Sequence, residues 1–196
     1  EFHGWGFTIN DEIENLRAAQ EHLKIVNLGA TAIGTTVTAA PGYPELAVKN
    51  LAELTGIDFK NSEDLIAATS DCGAYMTLSS AIKGLAVKMT KVCNDIRLLA
   101  SGPRCGLKEI NLPQLQPGSS IMPGKVNPVA AEVANQASFL AIGLDTTVML
   151  AASAGQLELN VMEPVITFAL YTQMKVMTNA CDTLRTKLVE GVTANT

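Results

Sequence analysis

The sequence predicts an all-α fold, a bundle of long helices, and three observations carry that reading. Apolar residues recur at three- and four-residue intervals over long stretches, the period of a helix with one buried face. The alternation expected of half-buried strands is almost absent. Of the 196 residues, 47% are hydrophobic, and the mean hydropathy is positive, which suits helices that bury more than one face. Three long helices and two shorter ones account for most of the chain.

The first helix is expected from about Phe2 to Leu28, with Ile9, Ile13, Leu16, Leu23 and Val26 on its apolar side. His3 and Trp5 come early in it, near Gly4 and Gly6, and His22 follows Glu21. No acid or metal partner is placed near His3, which is read as structural, and His22, among Glu21 and Lys24, is read as part of a solvated face. Residues 29–44 are rich in Gly, Thr, Ala and Pro and read as a connection. Thr31, Thr35 and Thr36 are assigned to turns and caps in preference to ligand contact. A short helix follows, roughly Glu45 to Thr55, ended by Gly56.

Asn61-Ser62-Glu63-Asp64 is a helix start, with Asn61 or Ser62 as cap and acids in the first turn. The pattern then continues to about Ser101, with Ala, Ser and Gly among the larger apolar residues, as in a helix packed closely on several sides. Lys83, Lys88, Lys91 and Arg97 along it read as solvated or paired charges. Gly102-Pro103 ends the helix, and residues 104–117, with Pro113 and Pro117, are irregular. Val129 to about Ser153 and Val161 to about Val189 are the remaining long helices. Pro164 stands in the first turn of the last one, where its missing N–H matters least. Met162, Met174 and Met177 belong to an apolar face and not to a cofactor site.

Composition bounds the function. A chain of this length forms one domain or at most two. A net charge of −5 argues against a general nucleic-acid binder, yet not against an anionic substrate, which one focused lysine can hold. The four cysteines, at 72, 93, 105 and 181, have neither zinc-ligand spacing nor the density of a disulfide framework. No metal site and no cofactor are expected. Charged residues interrupt every apolar stretch before it could span a bilayer, and no signal peptide is read at the start. A cytoplasmic location, without membrane or nucleic-acid partners, is the expectation.

Chemistry concentrates in Gly118-Ser119-Ser120-Ile121-Met122-Pro123-Gly124-Lys125-Val126-Asn127-Pro128. The glycines permit positive φ and the prolines stiffen the path between them. Asn127 suits the N-cap and Pro128 the first position of the helix that follows. A lysine beside a helix N-terminus attracts carboxylates. The two serines could donate hydrogen bonds, attack a carbonyl or, once deprotonated, act as a base. Gly-x-Ser-x-Gly is absent and no Ser or Thr follows Lys125, so neither a nucleophile elbow nor a P-loop is supported.

This segment resembles the signature of the aspartase/fumarase superfamily, homotetrameric lyases that eliminate a group β to a carboxylate and release fumarate. The resemblance extends through Asn27-Leu28-Gly29-Ala30-Thr31-Ala32-Ile33-Gly34-Thr35, through residues 94–104, and through Gly155-Gln156-Leu157-Glu158-Leu159-Asn160-Val161-Met162-Glu163-Pro164. Residues 68–75, Gln156-Leu157 and Met162-Glu163-Pro164 look more like the branch that removes ammonia from L-aspartate than like the fumarases, which tend to carry Asn-Phe and Phe-Lys/Arg-Pro at the latter two places. The alternatives are a class II fumarase, and a helical assembly core without catalysis.

The resemblance implies specific roles. Ser119 would be the base that removes the Cβ proton, and the resulting negative charge would rest on an aci-carboxylate. Lys125 and Asn127 would bind the substrate carboxylate, with the backbone near Ile121 and Met122 completing the grip as the loop closes. Ser120 would shape the loop, and Glu132 matches an acid that supports the family's histidine. That histidine's Gly-Arg-Thr-x-x-Gln-Asp segment and an earlier Ser/Thr-Asn segment are absent here. Residues 1–196 would therefore be one central helical-bundle domain, with the family's N- and C-terminal domains outside it. Family active sites combine three segments from three subunits of a homotetramer, so this chain alone is expected to lack activity.

Overall fold

Glycine and proline set several of the element boundaries. Pro44 sits in the first turn of its helix, and Gly56 closes the same helix at φ +70°, the left-handed conformation that glycine adopts without a Cβ penalty. The computed structural model describes residues 1–118 and 121–195. Among them lie six α-helices: α1 (Phe2–His22), α2 (Tyr43–Thr55), α3 (Ala67–Ser70), α4 (Gly73–Leu99), α5 (Val129–Ala152) and α6 (Glu163–Lys187). Two single-turn 3-10 helices, Ala32–Gly34 and Val189–Gly191, and four two-residue strands, β1 (Ile25–Val26), β2 (Lys60–Asn61), β3 (Ile110–Asn111) and β4 (Thr193–Ala194), complete the regular structure among these residues. The fold class is all-α, as the periodicity predicts.

Two boundaries differ from expectation. α1 stops at His22, because Ile25–Val26 pairs in parallel with Lys60–Asn61, a partner 35 residues away (60 − 25 = 35). The helix expected from Ser62 to Ser101 is two helices. The cap is Asp64 and not the expected Asn61 or Ser62: Asp64 Oδ1 accepts the N–H groups of Ile66 and Ala67, both at 2.9 Å, while Asn61 belongs to β2. α3 then ends at Asp71, whose backbone is extended at φ −79°, ψ 125°, and the Asp71 carboxylate accepts the N–H of Gly73 at 3.2 Å to start α4. An aspartate at such a junction offers the backbone a bond that competes with helix continuation.

The chain divides into two compact units, and each long helix contributes to both. The first comprises Glu1–Asp11, Ile82–Gly143 and Thr172–Thr196. Its buried residues on α4 are Ile82, Ala86, Met89, Cys93 and Ile96, a four-three-four-three spacing that keeps one seam inward. α5 answers with Ala130, Ala131, Ala134 and Ala141, small residues that let neighbouring backbones approach. Two side chains tie α5 to its neighbours: Asn135 Nδ2 donates to Asn94 Oδ1 at 2.8 Å, and Gln173 Nε2 donates to the Ala141 carbonyl at 2.9 Å.

The second unit comprises Glu12–Ala81 and Leu144–Tyr171. Its core groups Cys72, Val148, Ala151, Ile166, Ala169 and Leu170, with Leu78, Leu144 and Ala152 packed against them. Burying a side chain such as Ile166 contributes roughly 1.5–3 kcal/mol. A buried carboxylate, Asp145, accepts the hydroxyl of Ser79 at 2.8 Å. The threonine-rich connection behaves as expected of turn residues: Thr35 Oγ1 donates to the Ala32 carbonyl at 2.6 Å. The charges of α4 are likewise engaged, with Lys91 paired to Asp95 and Arg97 bonded to Asn94.

Candidate functional site

Residues 121–128 turn sharply before α5 begins. The Lys125 N–H donates to the Met122 carbonyl at 3.2 Å, so Pro123 and Gly124 are the two central residues of a turn. Gly124 has φ +79°, and proline followed by a left-handed glycine is the requirement of a type II turn. Ile121 is 86% exposed, and Met122 is exposed as well, whereas Lys125 and Asn127 are half-buried. The loop narrows at its base, where a β-carbon on Gly118 would stand 3.0 Å from the Lys125 carbonyl oxygen.

α5 starts at Val129 as expected, but its cap lies one residue later than the sequence suggests. Glu132 N–H donates to the Pro128 carbonyl at 3.0 Å, which makes Pro128 the cap and leaves Asn127 just outside it. Val129 N–H donates to the Asn127 carbonyl at 2.9 Å. Lys125 stands three residues before Pro128 in the chain, and a lysine beside a helix N-terminus suits a carboxylate. Glu132 lies half-buried in the first turn of α5, where a negative charge is favourable to the helix dipole. In the chain, Lys125 and Asn127 precede the first turn of α5 and Glu132 lies within it, while Met122 opens the turn that leads to them. Ser119 and Ser120 lie outside the described residues.

Behind this loop lies a support that the sequence did not announce. β3 pairs antiparallel with β4, Ile110 opposite Ala194 and Asn111 opposite Thr193. Asn111, Leu112, Gly124 and Val126 line one cavity of about 90 Å³. Leu112, Pro113, Asn127, Pro128 and Leu188 line a narrow cleft beside it. No local motif marks β3 or β4, because their pairing joins residues 84 positions apart (194 − 110 = 84).

The second unit holds a larger cavity, about 470 Å³, lined among others by His22, Asn27, Asp71, Tyr75, Thr77 and Glu163. Burial pushes the Cys72 thiol above its ordinary range, with Glu163 and Asp71 adding in the same direction. The Tyr75 phenol is raised by burial and then by Glu163. Carboxylates that disfavour a thiolate or phenolate would also disfavour a dicarboxylate, so this cavity is a poor match for an anionic ligand.

Among the described residues no group of three or more His, Cys, Asp or Glu side chains is placed to hold a metal ion. None of the described helices is long and apolar enough to cross a membrane. The four cysteines are free thiols, with Cys105 exposed and Cys72 and Cys93 buried.

The profile of a lyase family matches residues 1–143. The aspartate ammonia-lyase of Escherichia coli strain K12 is 57% identical over 195 residues, spanning 100% of this chain and 41% of the relative. Among solved structures, a cobalt-bound fumarate lyase:delta crystallin from Brucella melitensis aligns with a TM-score of 0.97 at 44% identity, covering 100% of this chain and 42% of that one. A recombinant class II fumarase from Schistosoma mansoni aligns with a TM-score of 0.91 at 30% identity, over 98% of this chain and 43% of that one. The chain thus spans about two-fifths of the length of the aspartate ammonia-lyase it matches.

Proposed function

The chain belongs to the lyase family, and from that premise we propose that it is the central region of an ammonia-lyase that eliminates ammonia from L-aspartate to give fumarate. The carrying observation is the placement of Lys125 and Asn127 at the N-terminal end of α5, in a chain 57% identical to an aspartate ammonia-lyase. A class II fumarase reading has weaker support, since the fumarase structure above is 30% identical.

In this mechanism one substrate carboxylate sits against Lys125, Asn127 and the main chain near Ile121 and Met122. Ser119, as the alkoxide, takes the proton from Cβ, and the C–H electron pair moves into the adjacent carboxylate as an aci-carboxylate. That dianionic end is stabilised by the lysine and the helix terminus. Collapse of the aci-carboxylate forms the C=C bond and breaks the C–N bond, and ammonia departs with both bonding electrons. Exclusion of water by the closed loop would strengthen each of these interactions. Ser120 shapes the loop, and Glu132 supports a histidine brought by a neighbouring subunit.

The same proposal includes a homotetramer in the cytoplasm. Phe139 and Leu140 on α5 and Phe168 and Tyr171 on α6 are exposed, and large apolar side chains in such numbers favour a covered surface. Residues 1–196 would form the central helical domain of each subunit.

The test uses Ser119→Ala and Lys125→Ala in the full-length protein, with tetramer formation checked by light scattering. Ser119→Ala is expected to lower kcat by at least a thousandfold without changing the mass of the assembly. Lys125→Ala is expected to raise KM for L-aspartate and to weaken succinate inhibition together. Near-normal turnover by Ser119→Ala would remove that residue from its role.

A further inference from the structure

The segment after α6 returns to the chain just ahead of the carboxylate-binding loop, and its contacts are unusually directed. Asn195 donates twice, from its main-chain N–H to the Glu109 carbonyl at 2.9 Å and from Nδ2 to the Lys108 carbonyl at 2.8 Å. The other edge of the same two residues is tied to the end of α4: Lys108 N–H donates to the Ser101 carbonyl at 2.8 Å, and Glu109 N–H to the Leu99 carbonyl at 2.9 Å. Lys108 holds φ +52°, a conformation that a lysine keeps only when its surroundings over-determine it. Four hydrogen bonds do so here, two of them from Asn195.

The support continues toward the loop. Gly191 lies so close to Pro113 that a β-carbon there would stand 2.7 Å from Pro113 Cγ. Leu188, buried at the root of the segment, faces the cleft shared by Pro113, Asn127 and Pro128. Lys108, Asn111 and Leu112 line the same cavity as Gly124 and Val126. Residues 108–113 are therefore held by the returning segment, and they share the linings of two cavities with the Gly124–Pro128 run.

We infer that Val189–Asn195 is a strap that positions the carboxylate-binding loop, with Asn195 as its positioning residue. The strap touches no substrate. It fixes residues 108–113, and through them the placement of Lys125 and Asn127. The inference rests on the reading of that loop as the carboxylate grip, and its test separates the two ideas.

The test compares Asn195→Ala, Asn195→Asp and Asn195→Gln in the full-length protein. The aspartate variant keeps the shape but loses the Nδ2 donor, whereas glutamine keeps a donor on a longer stem. Deuterium uptake by peptides spanning residues 121–128 is expected to speed at least fivefold in the Ala and Asp variants, with partial rescue in Gln. Uptake in the α4 seam, residues 82–96, is expected to stay unchanged, which a general loss of stability would not allow. Succinate affinity should fall, and KM for L-aspartate rise, by a factor similar to the change in loop exchange, with kcat within twofold. Gly191→Val, which forces Pro113 to move, should give the same pattern by a different route.

Loop exchange in Asn195→Asp equal to that of the unsubstituted protein would overturn the inference, as would faster exchange spread evenly through α4. Faster loop exchange in a protein that never binds succinate would uphold the strap and reject the carboxylate reading instead.

Discussion

Gly118 meets the carbonyl of Lys125 at the neck of the loop, with 3.0 Å between that oxygen and the place a β-carbon would occupy. The contact joins the residue that opens the signature segment to the residue proposed to hold the substrate. It closes the described ends of the loop on one another. Gly118→Ala would make one of the two yield by a few tenths of an ångström. A rise in KM of roughly three- to tenfold is expected, with a stability cost below about 1 kcal/mol. Steady-state kinetics with urea unfolding checks both; an unchanged KM would show that the neck can widen without disturbing Lys125.

A larger effect is expected at Gly34. It holds φ +82°, and a β-carbon there would come within 2.3 Å of the Leu65 carbonyl oxygen and 2.5 Å of the Ile66 backbone. Neither obstacle is a flexible side chain, and the backbone conformation is itself unfavourable for alanine. Gly34→Ala should cost about 3 kcal/mol or more, read as a lower urea midpoint. A loss under about 1 kcal/mol would mean that this part of the second unit is looser than drawn.

Two buried serines should respond in opposite ways. Ser79 Oγ donates to the buried Asp145 carboxylate at 2.8 Å, and Ser79→Ala should cost about 1.5–3 kcal/mol, as losses of hydrogen bonds to charged groups do. Ser138 is fully buried, and its hydroxyl has no partner among the described residues. Ser138→Ala should be neutral or stabilising by up to about 1 kcal/mol. Equal costs at the two positions would contradict the assignment.

Alkaline pH should destabilise the fold through Cys93. Burial pushes its thiol up to about 12 from an ordinary 9.0, with Arg97 opposing and Cys181 adding to the rise. Below pH 9 both folded and unfolded chains keep the proton, so nothing changes. Between pH 9 and 12 the unfolded chain releases it and the folded chain does not, so stability falls as pH rises. From pH 9 to 10.5 the loss attributable to this thiol is about 2 kcal/mol. Urea titrations of the parent and of Cys93→Ala at pH 8 and 10.5 measure it. A parent curve no steeper than that of the variant would contradict the burial.

The sequence made the helices and the loop legible for local reasons. Gly56, Pro44 and Asp64 act through their own backbones or within three residues of themselves, so their meaning survives without tertiary information. The break at Asp71 was hidden because buried Cys72 continues the apolar pattern across it. The Thr-Ser-Asp-Cys-Gly run, with an aspartate able to cap a new helix, is the local signal of the break. Ile25–Val26 fits the helical pattern of the residues before it, and its pairing with Lys60–Asn61 is a long-range contact that no local residue encodes. Lys125 and Asn127 could be named from their segment, whereas Asn195 could not. Its importance depends on where Lys108 and Glu109 lie, and nothing within several residues of 195 records that.

A first measurement on residues 1–196 alone concerns assembly of the site. If three subunits each supply a segment, this chain by itself should release no fumarate from L-aspartate above background. Robust turnover would show that a complete site lies within these residues.

The central claim is the reaction, and the most direct measurement follows the ultraviolet absorbance of fumarate with the full-length protein, L-aspartate and L-malate supplied in parallel and ammonia assayed alongside. Fumarate from L-aspartate with an equal amount of ammonia, and none from L-malate, is the predicted result. Fumarate from L-malate alone would contradict it, leaving the fold and the carboxylate grip in place and making the protein a hydratase.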